Sequence, residues 1–315
     1  MMDLMKKIRK LAMRRVLLVL LTAVLTLPLM DGALLSRTAY ADEEDAFDAL
    51  RAKWALTLTG GDSYSLSDPD IAERVTRISM LAKTYWERMD KSPARTYLWS
   101  DLTGSGGSGQ ITALYGRIFQ LAQGYATYGS IYYQDEDLAA DIAGALDWMN
   151  DHLYSAASAM NGNWYDYKIG APLALNNTVT LLYDELSPLQ IENYMAAVDH
   201  FTPTTFYDSE TVARTDQYEY EAANMAWKSM VIGVRAILVK SEDKLLQARS
   251  ALSVLYDYVT ERDGFYADGS YVGHTANAYT GSYGVNDLSY TASLTNLLQG
   301  SPWEVDDPDR SNIYK

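Results

Sequence analysis

The sequence contains no cysteine, and only three of its 315 residues are histidines. A chain without cysteine forms no disulfide framework and offers no thiolate ligand to a metal ion. Basic residues are also scarce, because 26 Lys and Arg stand against 41 Asp and Glu, for a formal net charge of −15. This charge argues against nonspecific binding to nucleic acid, whose phosphates attract basic surfaces.

The apolar run near the N-terminus, Val16–Leu29, is too short to span a membrane comfortably. It follows a basic start and precedes the small-residue pattern Ala39-Tyr40-Ala41. These three parts in this order are typical of a secretory signal peptide. We therefore predict that residues 1–41 are a cleaved signal, that the mature chain starts at Asp42, and that it is secreted and free of the membrane. An uncleaved anchor is the alternative.

A series of strand patterns is missing as well. Instead, about eight stretches carry apolar residues at helical spacing, as Leu138, Ile142 and Leu146 do. The stretches come in pairs separated by irregular loops, and Asp42–Asp68 is polar and mixed. This pattern predicts an all-α fold in which residues 42–315 form one domain of paired antiparallel helices. The pairs could form an open solenoid, an irregular bundle or an incomplete α/α toroid, and we favour the toroid.

Aromatic residues are plentiful, with 25 tyrosines and seven tryptophans. Many must belong to the core, but exposed aromatic faces with polar tips also suit sugar rings. Three segments break the helical pattern or carry unusual polar residues, namely Asn163–Gly170, Glu221–Ser229 and Asp268–Gly284. Irregular segments of this kind more often hold a functional site than fill a core.

The last of these segments is rich in glycine and presents His274, followed nine residues later by Tyr283. Histidine changes charge near neutral pH, and a tyrosine beside it can exchange protons in the same cleft. The pair is therefore a candidate for acid and base catalysis. A structural loop histidine among packing tyrosines is an equally good interpretation of this segment alone.

Taken together, the segments resemble polysaccharide lyase family 8, whose members are secreted lyases acting on hyaluronan, chondroitin and xanthan. The resemblance is carried by NWYDYKIGAPLALNNTVTLLYDELS (Asn163–Ser187), EAANMAWKS (Glu221–Ser229) and GFYADGSYVGHTANAYTGSYG (Gly264–Gly284). It extends from about Arg51 to the end of the chain. The resemblance implies a lyase that cleaves a uronate-containing polysaccharide by β-elimination, with an acidic polysaccharide as its partner.

The resemblance also implies a role for individual residues. The family's catalytic Asn, His and Tyr fall on Asn224, His274 and Tyr283. In such a site, the Asn amide neutralises the uronate carboxylate, and the Tyr and His serve as base and acid. The expected substrate-binding residues are Asn163, Trp164, Tyr165 and Tyr279. This chemistry requires no metal and no cofactor, and we expect the protein to act as a monomer.

Several positions depart from the family pattern. Gly273 stands where Gln is usual, Tyr165 replaces a second Trp, and Met225 follows the Asn where Arg is frequent. Lys168 and Leu173 replace residues that are commonly acidic and basic. Family members also continue into a β-sandwich region and carry a further catalytic Arg beyond this chain, which we therefore expect to be a fragment or a truncated product.

Two other functions remain open on the residues alone. A glycoside hydrolase on an α/α barrel needs two carboxyl groups that flank the glycosidic bond. Asp166, Asp216 and Asp268 lie in irregular segments and could supply them. The second alternative is a non-catalytic remnant that binds carbohydrate through its aromatic residues without cleaving it.

Overall fold

The computed structural model describes residues 46–103, 107–206 and 221–315. The predicted signal peptide, its cleavage site and Asp216 lie outside these ranges. Helices dominate the described residues, and none of the helices is long and apolar enough to cross a membrane. The prediction of an all-α fold is therefore confirmed.

The helices occupy nine stretches of the described residues. They are α1 (residues 46–59), α2 (Pro69–Arg88), α3 (Gly109–Ala126), α4 (Glu136–His152), α5 (Ala171–Leu181), α6 (Pro188–Phe201), α7 (Ala222–Leu238), α8 (Glu242–Tyr256) and α9 (Val285–Leu298). One-turn π-helices precede α5 and α9, at Asp166–Gly170 and Thr280–Gly284. Short 3-10 helices cover Tyr183–Glu185 and Pro308–Tyr314.

Local sequence explains where several helices begin. The carboxylate of Asp68 accepts hydrogen bonds from the first backbone N–H groups of α2, and Pro69 follows it. Ser187 and Gln190 cap the start of α6 in both directions, with Pro188 between them. A capping side chain satisfies donors that have no partner within the helix, and proline fits the first helical position because it lacks an N–H.

Asp42–Asp68 was expected to be polar and mixed, but residues 46–59 within it form helix α1. Phe47, Leu50 and Trp54 are buried and spaced three and four residues apart, so they form one narrow apolar stripe. The Phe47 ring lies 4.4 Å from that of Trp303. The stripe is short among charged residues, and for this reason the periodicity was too weak to predict the helix.

The helices curl into an incomplete α/α toroid, as predicted. Helices α3, α5, α7 and α9 contact one another in that order and form the inner layer, while α4, α6 and α8 pack outside them. The starts of the inner helices lie at the same end. Asp166, just before α5, binds Ser108 and Thr112 at the start of α3. Tyr283, just before α9, packs against the cluster formed by Ala223 and Trp227 in α7 and Ile169 just before α5.

The glycine-rich segment forms a small antiparallel sheet at this end of the ring. Its three strands are β1 (Gly264–Phe265), β2 (Tyr271–Gly273) and β3 (Asn277–Ala278), in the order β1-β2-β3. In the register, Gly264 pairs with Val272, which also pairs with Ala278. Strands of two or three residues are too short to show alternation, so the sequence did not reveal them.

Close packing between α2 and α3 supplies a test of the fold. A Cβ added at Gly124 in α3 would collide with the Cβ of Ala82 in α2. Alanine favours helix over glycine by about 1 kcal/mol, but overpacking costs about 1–3 kcal/mol. We therefore expect Gly124→Ala to lower the free energy of unfolding, measured by urea denaturation.

Gly116 in the same helix is the matched control, because a Cβ there meets no atom within 4 Å. Gly116→Ala should raise the free energy of unfolding by about 0.5–1 kcal/mol through helix propensity alone. If Gly124→Ala proves as stable as Gly116→Ala, the close contact between α2 and α3 is wrong.

Candidate active site

The first turn of α7 carries Asn224 at the end of the ring where the inner helices start. Every residue from Ala223 to Leu238 is buried, so α7 is surrounded by protein on all sides. Asn224 is only 7% exposed, and its backbone N–H donates to the carbonyl of Glu221 at 3.1 Å. An amide in this setting has a fixed position, because the helix and its neighbours hold the backbone that carries it.

His274 lies directly after β2, in a strained turn. His274 and Thr275 have φ angles of +50° and +68°, in the left-handed region that residues other than glycine rarely adopt. The carboxylate of Asp263 compensates, since it accepts one hydrogen bond from each backbone N–H, both at 2.8 Å. Asp263 was not identified from the sequence, because nothing there links it to residues eleven positions away.

The rings of His274, Tyr279 and Tyr283 form a mutually contacting group. The centroid of the His274 ring lies 4.9 Å from that of Tyr283 and 5.7 Å from that of Tyr279, and the two tyrosines are 5.1 Å apart. All three contacts are edge to face. The imidazole of His274 and the phenol of Tyr283 are thus close enough to act on one bound molecule.

An aromatic chain connects this group to the segment at the start of α5. The Trp227 ring lies 5.6 Å from those of both Tyr165 and Tyr283, and Tyr165 lies 6.3 Å from Trp164. Trp164 and Tyr165 are half-buried, and burial raises the pKa of the Tyr165 phenol. Trp227 belongs to the segment around Asn224, but its position within an apolar helix did not distinguish it from a core aromatic.

Ser108 and Asp166 fix the segment that carries Trp164 and Tyr165. The Ser108 hydroxyl accepts from the Asn163 N–H at 2.8 Å and donates to Asp166 at 2.6 Å. Asp166 also accepts from the hydroxyl of Thr112 at 2.8 Å. The Asn163 side chain accepts from the N–H of Tyr165 at 3.1 Å, so its oxygen serves the local backbone.

Two of the three carboxylates proposed for a hydrolase have such local partners. Asp166 is buried, and both of its oxygens accept hydroxyl hydrogen bonds. Asp268 is exposed, and bonds from the Ser270 hydroxyl and backbone lower the pKa of its carboxyl. These contacts favour structural roles for both residues and weaken the hydrolase interpretation.

Asp287 is the acidic residue most deeply buried near the site. It lies in the first turn of α9 and is 4% exposed. Burial raises the pKa of its carboxyl to about 7, although hydrogen bonds from Thr291 and Tyr271 oppose the shift. Within residues 46–103, 107–206 and 221–315, no group of three or more His, Asp or Glu side chains could hold a metal ion.

Comparison with known proteins decides the family. A family profile described as "Polysaccharide lyase family 8, N terminal alpha-helical domain" matches residues 54–315. The chain belongs to polysaccharide lyase family 8. The family predicted from the three segments is therefore confirmed.

Among members of polysaccharide lyase family 8, a xanthan lyase from Bacillus sp. (strain GL1) is 43% identical over 278 residues, covering 87% of this chain and 28% of the relative. A hyaluronate lyase from Thermasporomyces composti is 36% identical over 281 residues, covering 88% of this chain and 34% of the relative. The chain thus spans about a third or less of the length of these relatives.

Two solved structures from the family share the fold. A Paenibacillus xanthan lyase matches with a TM-score of 0.79 and 41% identity, covering 86% of this chain and 25% of that one. The chondroitin AC lyase of Streptomyces coelicolor A3, solved in complex with chondroitin sulphate, matches with a TM-score of 0.78 and 34% identity. That match covers 85% of this chain and 35% of that one.

The clasp around His274 supplies a test of the site geometry. Asp263→Ala removes both bonds that hold the left-handed turn and should lower the free energy of unfolding by about 1–3 kcal/mol. Amide hydrogen exchange at His274 and Thr275 should accelerate in the same variant. Asp268→Ala is the control in the same hairpin, since it removes only the exposed bonds to Ser270 and should leave those two amides unchanged. Equal exchange in both variants would contradict the clasp.

Proposed function

We propose that the chain is the helical part of a secreted lyase that cleaves a uronate-containing polysaccharide, of the hyaluronan, chondroitin or xanthan type, by β-elimination. The observation that carries the proposal is the ring contact between His274 and Tyr283 at the end of the toroid where Asn224 lies in the first turn of α7. Membership of polysaccharide lyase family 8 supports the reaction class, and the names of the relatives support the choice of polymers.

The proposed reaction begins with the acidity of the proton on C5 of the uronate. Asn224 donates hydrogen bonds to the neighbouring carboxylate, which stabilises the negative charge that builds up as the proton leaves. Deprotonated Tyr283 takes the C5 proton, and the electrons of the C5–H bond form a double bond between C4 and C5. The C4–O bond breaks, and Tyr283 returns the proton to the departing oxygen.

His274 lies beside Tyr283 and has two roles open to it in this scheme. It assists Tyr283 in exchanging the proton, or it serves as the base itself. Trp164 and Tyr165 offer flat half-buried faces on which sugar rings can stack, and stacking fixes the register of the polymer before the proton moves. Tyr279 completes the sugar-facing surface next to the catalytic pair.

An acidic protein needs a local attraction for an acidic polymer. The starts of α3, α5, α7 and α9 face this end, and each carries the positive end of a helix dipole. The first turns of α3, α5 and α7 contain no acidic residue, although Glu221 precedes α7, and α9 contains the buried Asp287. At the opposite end, α2, α4 and α8 begin with the acidic residues Asp70, Glu136, Asp137, Glu242 and Asp243.

The basic residues near the three segments differ in how close they lie to the candidate site. Lys168 is half-buried beside the aromatic segment, and Lys228 is buried one turn after Asn224. Arg235 pairs with Asp199 at 2.6 Å. It lies about 16 Å from Asn224 along the axis of α7, at a rise of 1.5 Å per residue. Arg214, a fourth basic residue close in sequence to the segment around Asn224, lies outside the described residues. The dipoles of the inner helices are therefore the local source of positive potential that supports the proposal.

Tyr283→Phe tests the mechanism, because it removes only the hydroxyl. We expect kcat to fall at least about 100-fold, with binding of the polymer retained, since the proton carrier is lost while the ring remains. The assay is the ultraviolet absorbance of the unsaturated uronate product, with hyaluronan, chondroitin and xanthan as substrates and the full natural chain as enzyme.

Tyr279→Phe is the matched control, because it removes a hydroxyl from the neighbouring ring and should change kcat only a few-fold. Unsaturated product formed at the parent rate by Tyr283→Phe would show that Tyr283 is neither acid nor base. Products without ultraviolet absorbance would indicate hydrolysis, and binding without turnover would indicate a carbohydrate-binding protein.

A further inference from the structure

Helix α7 begins without a capping side chain of its own. Its first residue, Ala222, has a φ of +48°, and Glu221 before it makes no side-chain cap hydrogen bond. The N–H of Ala223 is one of the donors that have no partner within the helix. It donates to the hydroxyl of Tyr271, at 3.2 Å. The start of α7 is therefore fixed by a residue in β2, 48 positions away in the sequence.

The Tyr271 hydroxyl has a second partner in α9. Burial raises the pKa of the Tyr271 phenol, so the hydroxyl stays protonated and its own proton needs an acceptor. The carboxyl of Asp287 lies beside the Tyr271 hydroxyl and is the acceptor available to that proton. Asp287 also accepts a bond from the Thr291 hydroxyl at 3.3 Å, one turn further along α9. The Tyr271 hydroxyl of β2 thus lies between the first turn of α7, to which it is hydrogen-bonded, and Asp287 of α9.

These links join the three segments that carry the candidate catalytic residues. Ala223 is adjacent to Asn224, Tyr271 precedes His274 by three residues, and Asp287 follows Tyr283 by four. The segments are also packed closely, since a Cβ at Gly284 would lie only 3.0 Å from the Tyr271 ring. The Tyr271 ring therefore lies directly against Gly284 and has little room to shift.

We propose that Tyr271 and Asp287 are positioning residues, which hold Asn224, His274 and Tyr283 in register through the hydrogen-bonded chain from Asp287 to Tyr271 to the Ala223 N–H. This role rests on the function proposed above. Small displacements of catalytic groups lower the rate of the chemical step by large factors. In the proposed function, substrate binding depends on Trp164 and Tyr165, which lie in another segment. Loss of the chain should therefore lower kcat and leave KM nearly unchanged.

Tyr271→Phe is the first test, because the ring keeps its contact with Phe265, at 4.8 Å, and only the hydroxyl is lost. In the full natural chain, we expect kcat to fall at least tenfold and KM to change less than threefold. Tyr256→Phe is the matched control. Tyr256 is equally buried, and its hydroxyl lies 2.7 Å from that of Thr295, which is in α9 about two turns beyond Asp287. Its kcat should stay within twofold of the parent.

Substitutions of Asp287 test whether the two residues act through one chain. Asp287→Asn keeps an oxygen that accepts the Tyr271 proton and should retain most of the parent kcat. Asp287→Ala removes the acceptor and should lower kcat as Tyr271→Phe does. The double variant Tyr271→Phe with Asp287→Ala should be no slower than either single variant, because both break the same chain. Losses that multiply, or an Asp287→Asn variant as slow as Asp287→Ala, would overturn the proposal.

Amide hydrogen exchange supplies a measurement that does not depend on lyase activity. The Ala223 amide should exchange at least tenfold faster in Tyr271→Phe than in the parent, and at the parent rate in Tyr256→Phe. If the parent forms no unsaturated product, the proposed function is wrong and the positioning role falls with it. If the parent is active and Tyr271→Phe keeps both its kcat and its Ala223 exchange rate, the positioning role alone is wrong.

Discussion

The burial of α7 on every side is the constraint on which the rest of the structure depends. A helix that is buried all round needs neighbours in all directions, and α5, α6, α8 and α9 supply them. The outer helices α4, α6 and α8 return the chain to the end of the ring at which each inner helix starts. The inner helices can therefore run in the same direction and pack side by side. The candidate site lies where the segments that lead into the inner helices contact the start of α7.

The sequence predicted most of the fold for a physical reason. Amphipathic helices repeat their apolar residues at a fixed spacing, and Leu138, Ile142 and Leu146, all fully buried in α4, show how directly such a stripe marks a core. The same reasoning failed for α1, whose stripe of Phe47 and its neighbours is short, and for strands too brief to alternate. Periodicity predicts an element only when the element is long enough to repeat.

Some residues of the candidate site could likewise be predicted from the sequence, and others could not. Residues in unusual segments, such as His274 and Tyr283, could be selected from the sequence, and their roles stay predictions. The residues that support them could not be selected. Trp227 looks like any core aromatic within an apolar helix, and Asp263 and Ser108 act on groups 11 and 55 or more positions away. Such contacts exist only once distant segments are packed together.

The shared orientation of the inner helices separates the charge that the site presents from the charge of the whole protein. A helix dipole arises from the peptide groups, so substitutions on the outer surface leave it in place. The surface can therefore accumulate acidic side chains, in a chain of net charge −15, while the positive dipole ends stay at the starts of α3, α5, α7 and α9. For a ring of parallel helices, the isoelectric point of the whole chain consequently does not describe the local charge at the helix starts.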